Sequence, residues 1–170
     1  AEEVTLDLVG GRRHVRLVTP GGPARRAPRE GMMLGILVVS HSASVARGIA
    51  EIASGMGGAA VIVRGVGGTE NGELGLSVPY VLEALEALLA CCDEVLMVPD
   101  LGSSVLGARA ARELLGDRGA RVLLVDAPVR EGTLMGAVEA SLGSSSAQVA
   151  RVAREARHLR KWAEGADDRS

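Results

Sequence analysis

The chain has 170 residues, 47% of them hydrophobic and 24% charged, with a net charge of −2. This describes about one globular domain, with no apolar stretch near the roughly 18 residues of a membrane span and no signal-peptide h-region at the start, so the expectation is a cytoplasmic protein without membrane contact. One Tyr, one Trp and no Phe leave almost nothing for bases to stack on, which argues against nucleic-acid binding.

Residues 1–31 are rich in Arg, Gly and Pro. Within them "VTLDLV" and "HVRLV" permit a short hairpin around Gly10-Gly11, or equally a translated leader or a fragment of a neighbouring domain. "TPGGPARRAPREG", Thr19 to Gly31, reads as a turn-prone linker. The expected division is an extension or linker over 1–31, a compact domain over 32–157 and a polar tail over 158–170.

From Leu34 onward, apolar runs rich in β-branched residues alternate with segments of helical period, the pattern of βαβ units. Strands are predicted at Leu34 to Val39, Ala59 to Arg64, Glu94 to Pro99 and Arg121 to Asp126. Between them, Val45, Ile49, Ile52 and Met56 share one helical face, and so do Val81, Leu85, Leu88 and Leu89, and Leu106, Ala110, Leu114 and Leu115; all three stripes read as core. Ser77 before Pro79 marks a helix start. Leu134, Met135, Val138 and Leu142 before Gly143 predict a fourth helix with a glycine stop, and Val149, Val152 and Ala156 the inward face of a fifth. Adjacent Cys91 and Cys92 fit neither a disulfide framework nor CxxC spacing and read as buried small residues. The fold class is therefore α/β, an open parallel four-stranded sheet of order 2-1-3-4 with helices on both faces.

In such sheets ligands bind beyond the carboxyl ends of the strands, where strand order reverses. His41 follows the first strand and Asp100 the third, which makes them neighbours there. A neutral imidazole is a nucleophile when an acceptor holds one ring nitrogen protonated, and Asp100 is the natural acceptor. A phosphoryl group on His41 would find donors in the N–H groups from Ser42 to Ser44 and in Ser103 and Ser104 of "DLGSS", with Gly102, Gly67 and Gly68 allowing close backbone approach. No G-x-x-x-x-G-K-[ST] motif exists, and His14, His41 and His158 are far apart without carboxylates at ligand spacing, so no P-loop, metal or cofactor is expected. The same residues also read blandly, as a surface histidine and a capped helix start.

Three segments, "ILVVSHSASVARGIAEIA", "VPDLGSSVLGARAARELL" and "APVREGTLMGAVEASLG", in this order and spacing, resemble the DhaM family. These are the phosphoryl-carrier subunits of bacterial dihydroxyacetone kinases that depend on the phosphoenolpyruvate phosphotransferase system. The likeness covers about Met33 to Ala156. It implies a mannose-type EIIA fold, usually homodimeric, and a phosphotransferase subunit that works through a transient phosphohistidine. It further implies His41 as the phosphorylated residue, Asp100 as the aspartate orienting it, and Ser42, Thr69, Gly102, Ser103 and Ser104 around the phosphoryl group. HPr would be the donor and the ADP-binding kinase subunit the acceptor, which then phosphorylates dihydroxyacetone. Leu76 departs from the family pattern, which has a hydroxyl residue after the glycine.

Leu101, Val105 and Leu106 read either as a docking rim or as core under the helix, and Arg47, Arg109 and Arg130 as steering charges or solvated surface. Two other functions fit some of these residues. One is a hydrolase using Ser103, His41 and Asp100, against which stand the missing G-x-S-x-G elbow and the short spacing from Asp100 to Ser103. The other is a non-catalytic regulator of the same fold that binds a partner or a metabolite.

Overall fold

The computed structural model describes residues 8–9, 12–13 and 32–161. The chain divides into two compact units, residues 1–30 and 31–170. In the first, β1 (Leu8–Val9) pairs antiparallel with β2 (Arg12–Arg13) across Gly10-Gly11. The expected second hairpin strand at His14, the linker from Thr19 to Gly31 and the tail from 162 onward lie outside the described residues.

The second unit is built on four parallel strands: β3 (Leu34–Ser40), β4 (Val61–Gly67), β5 (Glu94–Pro99) and β6 (Val122–Leu124). Their order is β4-β3-β5-β6, which is 2-1-3-4 within this sheet. All seven residues of β3 are buried, as a central strand covered on both faces requires. The helices are α1 (Ala43–Gly57), α2 (Val78–Leu89), α3 (Ser103–Leu114), α4 (Val129–Ser141) and α5 (Ser146–Glu155).

One side of the sheet packs Ile36, Leu96, Val98 and Val125 against Ala137, Val149 and Ala153 of α4 and α5. The other packs Leu37, Val39, Val95 and Met97 against Val81, Leu85 and Leu88 of α2 and Ala108 and Ala111 of α3. Each of the fully buried α2 side chains contributes about 1.5–3 kcal/mol. Among the described residues, no helix is long and apolar enough to cross a membrane.

Several sequence expectations are corrected. The second strand starts at Val61 and runs on to Gly67, because Ala59 and Ala60 close a 3₁₀ turn after α1. The fourth is only Val122–Leu124, although the Val125 N–H still bonds to the Met97 carbonyl at 2.9 Å. The α2 stripe is buried as expected, but of the α1 and α3 stripes only Ile49 and Leu115 are buried. Val45, Ile52, Met56, Leu106 and Leu114 are exposed, as is Leu142 just beyond α4. Small residues face inward instead: Ala46, Ala50 and Ala53 beside Ile49 on α1, and Ala108 and Ala111 on α3. Short side chains let these helices lie close to the sheet, and the larger apolar side chains are left outside. Cys92 is buried but Cys91 is exposed; burial, the neighbouring Cys91 and Asp93 push the Cys92 thiol up to about 12.

The sheet brings the strand ends to one level. Val39 pairs with Pro99 and the Asp100 N–H bonds to the Val39 carbonyl at 2.8 Å, so the residues that follow β3 and β5 emerge side by side.

Candidate functional site

His41 leaves β3 just before α1, whose N-cap is Ser42; the Ser42 hydroxyl accepts the Val45 N–H at 3.3 Å. Asp100 leaves β5 two residues before Gly102, the N-cap of α3, which holds φ at 59°. Two helix N-termini therefore flank one point at the carboxyl edge of the sheet, each with N–H groups that lack partners in their own helix.

The Asp100 carboxylate organises this point. Its Oδ1 lies 3.0 Å from His41 Nδ1 and accepts from the Leu101 N–H at 2.7 Å and from the Ser104 hydroxyl. Its Oδ2 accepts from the His41 N–H at 2.9 Å and from the Ser40 hydroxyl at 2.8 Å. Burial disfavours the charge, yet the bonds from Ser104, the His41 and Leu101 N–H groups and Ser40 outweigh it and hold the carboxyl well below the usual carboxylate range.

The ionised carboxylate has no proton to offer, so Nδ1 carries the ring hydrogen and Nε2 keeps its lone pair. Ser103 Oγ lies 2.7 Å from Nε2 and is the donor in that bond. The His41 side chain is 33% exposed and that of Asp100 16%, which leaves the imidazole reachable over an aspartate that is mostly covered.

His41, Asp100, Ser103 and Ser104 are thus brought together. The short spacing from Asp100 to Ser103 does not prevent all three groups from converging. Ser42 is adjacent, but its N–H is engaged by Ser40 Oγ at 3.2 Å. The loop after β4 is bound to the same point, since the Gly75 N–H bonds to the His41 carbonyl at 2.9 Å. A Cβ at Gly67 would lie 2.2 Å from the Ser40 carbonyl oxygen, so only glycine fits there. Thr69 stands in this loop with its hydroxyl accepting the Glu73 N–H at 3.2 Å, a turn that holds the loop itself. Leu76, at the position expected to carry a hydroxyl residue after the glycine, packs with the α2 and α3 side of the core. A Cβ at Gly107 of α3 would meet Leu76 Cδ2 at 2.4 Å.

Ser40 is the participant that sequence reasoning missed. It stands next to His41 in "VVSHS", but its partner is 60 residues away, and only the pairing of β3 with β5 makes them neighbours. Among the described residues no three His, Cys, Asp or Glu side chains gather at metal-ligand spacing. Leu101 and Leu106 on the α3 side, and Leu74 in the loop after β4, are strongly exposed. Arg47 and Arg109 are exposed, while Arg130 pairs with Glu131 at 2.7 Å.

The switch point of a 2-1-3-4 parallel sheet, with a histidine held by an aspartate at the carboxyl ends of the strands, defines a class of α/β domains. Residues 35–150 match the EIIA-man family, described as PTS system fructose IIA component, and the chain belongs to that family. It is 36% identical over 117 residues to the PEP-dependent dihydroxyacetone kinase phosphoryl donor subunit DhaM of Escherichia coli, covering 66% of this chain and 24% of that protein. It is 31% identical over 114 residues to the phosphoryl donor subunit DhaM of the PEP-dependent dihydroxyacetone kinase 2 of Listeria innocua, covering 66% of this chain and 90% of that one. The chain thus spans about a quarter of the length of the enterobacterial relatives and nearly all of the listerial one. A solved structure titled unknown function protein EF1359 superposes with a TM-score of 0.69 at 30% identity, over 78% of this chain and 100% of that chain.

Proposed function

We propose that this chain is a phosphoryl carrier that accepts a phosphoryl group on His41 from HPr of the phosphotransferase system and passes it to the ADP-bound subunit of dihydroxyacetone kinase. One observation carries the reading: Asp100 holds Nδ1 at 3.0 Å, so Nε2 keeps its lone pair, turned toward the exposed Ser103 hydroxyl at 2.7 Å. The relatives are named as phosphoryl donor subunits of PEP-dependent dihydroxyacetone kinases, which supports the acceptor. In the first step Nε2 attacks the phosphorus of the donor's phosphohistidine; the new P–Nε2 bond forms as the donor's P–N bond breaks. Nδ1–H stays with Asp100 and stabilises the positive charge that the ring acquires. In the second step a β-phosphate oxygen of ADP on the acceptor attacks the same phosphorus, and the imidazole leaves with its lone pair.

Ser103 Oγ, freed from Nε2, donates to a phosphoryl oxygen, and Ser42, Ser104, Thr69 and the backbone at Gly102 complete the surroundings. The exposed side chains of Leu74, Leu101 and Leu106 form the apolar rim that partners cover. Residues 32–157 make up the carrier, flanked by the extension over 1–31 and the tail over 158–170. The reading carries with it a cytoplasmic location and a homodimer.

The test is intact-mass spectrometry after incubation with phosphoenolpyruvate, enzyme I and HPr. The expected result is one acid-labile phosphoryl group on the wild type, absent from a folded His41→Ala variant, and its loss on adding the ADP-loaded kinase subunit. No phosphorylation from a donor mixture that charges another carrier would overturn the reading.

The line Asp100, His41, Ser103 also has the geometry of a serine hydrolase triad. Beside Ser103, however, the N–H groups of Ser104 and Val105 bond to the Leu101 and Gly102 carbonyls at 3.3 and 3.2 Å, which takes the nearest donors from an oxyanion. Labelling of Ser103 by a fluorophosphonate would favour this second reading.

A further inference from the structure

We propose that Ser40 is a positioning residue of the phosphoryl-transfer site, acting through Asp100 to fix which nitrogen of His41 carries the proton. The inference rests on the carrier reading for its kinetic consequence but not for its structural one.

Ser40 is the last residue of β3 and is 3% exposed, so water cannot readily replace its hydroxyl. That hydroxyl donates to Asp100 Oδ2 at 2.8 Å and accepts the Ser42 N–H at 3.2 Å. Both functions of the group are thereby used. It has nothing left for a phosphoryl oxygen, and it stands on the side of the ring that Asp100 occupies, not on the Nε2 side.

What it does follows from how Asp100 is held. The carboxylate can turn about its Cβ–Cγ bond, and its aim at His41 Nδ1 depends on both oxygens being fixed. Oδ1 has three donors, two of them from Leu101 and from Ser104 in the first turn of α3, just after the aspartate itself. These fix Asp100 only relative to the segment that follows it. The donors to Oδ2, the Ser40 hydroxyl and the His41 N–H, come from the last residue of β3 and the residue after it. Ser40 also holds the Ser42 N–H at the N-cap of α1, so one hydroxyl ties the carboxylate, the strand and the start of the helix together.

Without that hydroxyl Oδ2 keeps a single donor, and Oδ1 is less well aimed at Nδ1. The proton of the neutral ring then distributes between Nδ1 and Nε2. Every molecule with the proton on Nε2 has no lone pair at the nitrogen that must attack.

The experiment compares wild type, Ser40→Ala and Ser40→Thr. Imidazole ¹⁵N shifts of the free protein at mildly alkaline pH report the tautomer, and single-turnover kinetics at saturating phosphorylated HPr report the rate. Ser40→Ala is expected to show a mixed tautomer and a rate lowered in step with the fraction of rings that keep the proton on Nδ1, a loss of about twofold to fivefold. Ser40→Thr, which keeps the hydroxyl, restores both.

A wild-type tautomer pattern in Ser40→Ala overturns the proposal, whatever its melting temperature or rate. So does a folded Ser40→Thr that recovers neither readout, since the effect would then be one of packing. If Ser40→Ala does not fold, the nearly isosteric Ser40→Cys, a much weaker donor, takes its place with the same expected tautomer mixing. If the wild type accepts no phosphoryl group, the carrier reading falls while the ¹⁵N comparison still decides the role of Ser40.

Discussion

The Ser103 hydroxyl lies 2.7 Å from His41 Nε2, the nitrogen with the free lone pair. In the proposed carrier it therefore occupies the position that an incoming phosphorus would take, and it would have to turn aside for transfer. The bond it loses is neutral, worth about 0.5–1.5 kcal/mol, while the one it gains to a phosphoryl oxygen is charge-assisted, worth about 1.5–3 kcal/mol. The balance favours the charged form by roughly 1 kcal/mol. Ser103→Ala should shift the transfer equilibrium back toward phosphorylated HPr by about fivefold, measured by partition of labelled phosphate between the two proteins. An unchanged partition would mean that the hydroxyl does not follow the phosphoryl group.

Asp100 sets a pH dependence whose sign can be worked out. Its folded carboxyl is held below the unfolded value of about 3.9, so the stabilisation it provides is fully present above that value. It is lost as the pH falls through the folded value. In Asp100→Asn an amide N–H₂ replaces one oxygen, and the donors around it are left facing a donor. Wild type should melt above Asp100→Asn at about pH 5, and the margin should shrink steadily as the pH falls below about 4. A margin that grows as the pH falls below about 4 would refute this account of the site.

Leu76 and Gly107 should couple. An alanine Cβ at 107 would come within 2.4 Å of Leu76 Cδ2, so Gly107→Ala forces the leucine out of its seat at a cost of about 1–3 kcal/mol. Leu76→Thr shortens the side chain and makes room. The double variant should therefore be more stable than the sum of the singles by more than about 0.5 kcal/mol in urea unfolding, and strict additivity would show that the two do not compete for space.

Arg121 clamps the end of α2 from a distance in sequence. Its guanidinium donates to the carbonyls of Asp93 at 2.7 Å, Cys92 at 2.6 Å and Leu89 at 3.3 Å. A single ammonium cannot span three acceptors in this fork geometry. Arg121→Ala should cost about 2 kcal/mol of stability in denaturant titrations, and Arg121→Lys should recover less than half of it. Phosphorylation of His41, at the opposite end of the strands, should be unaffected. Full recovery by lysine would show that charge alone matters there.

Leu101 stands beside Asp100 and is 71% exposed. If it belongs to the rim that partners cover, Leu101→Ser should raise the KM for phosphorylated HPr severalfold and leave the single-turnover rate at saturation within about twofold, the pattern of lost uniform binding. A fall in the saturated rate alone would remove Leu101 from the docking surface.

Much of the fold was legible in the sequence because its strands are short apolar runs and α2 carries its large side chains inward. That alternation gave a parallel sheet, and a flavodoxin-like strand order then made neighbours of His41 and Asp100. The helices α1 and α3 were misread for a physical reason: hydropathy is dominated by large side chains, whereas Ala46, Ala50, Ala53, Ala108 and Ala111 make the close contacts. Val45, Ile52, Met56, Leu106 and Leu114 are apolar without being core. In the site, the histidine, the aspartate and the serines of "DLGSS" were visible as residues, but the share of each was not. Whether a hydroxyl holds a carboxylate, as with Ser40, or its own turn, as with Thr69, depends on a partner that sequence does not display.

The pairing of Val39 with Pro99 has a consequence for how such a domain can change. The sheet serves as a gauge: His41 and Asp100 meet because each stands a fixed number of steps past a shared rung. The crossovers between them, which carry α1 and α2, can lengthen or shorten away from the strand ends without disturbing the encounter. A single residue inserted into or deleted from β3 or β5 would instead carry one partner a full step past the other and turn its side chain to the opposite face of the sheet. Variation should therefore accumulate in the connections and spare the lengths of these two strands.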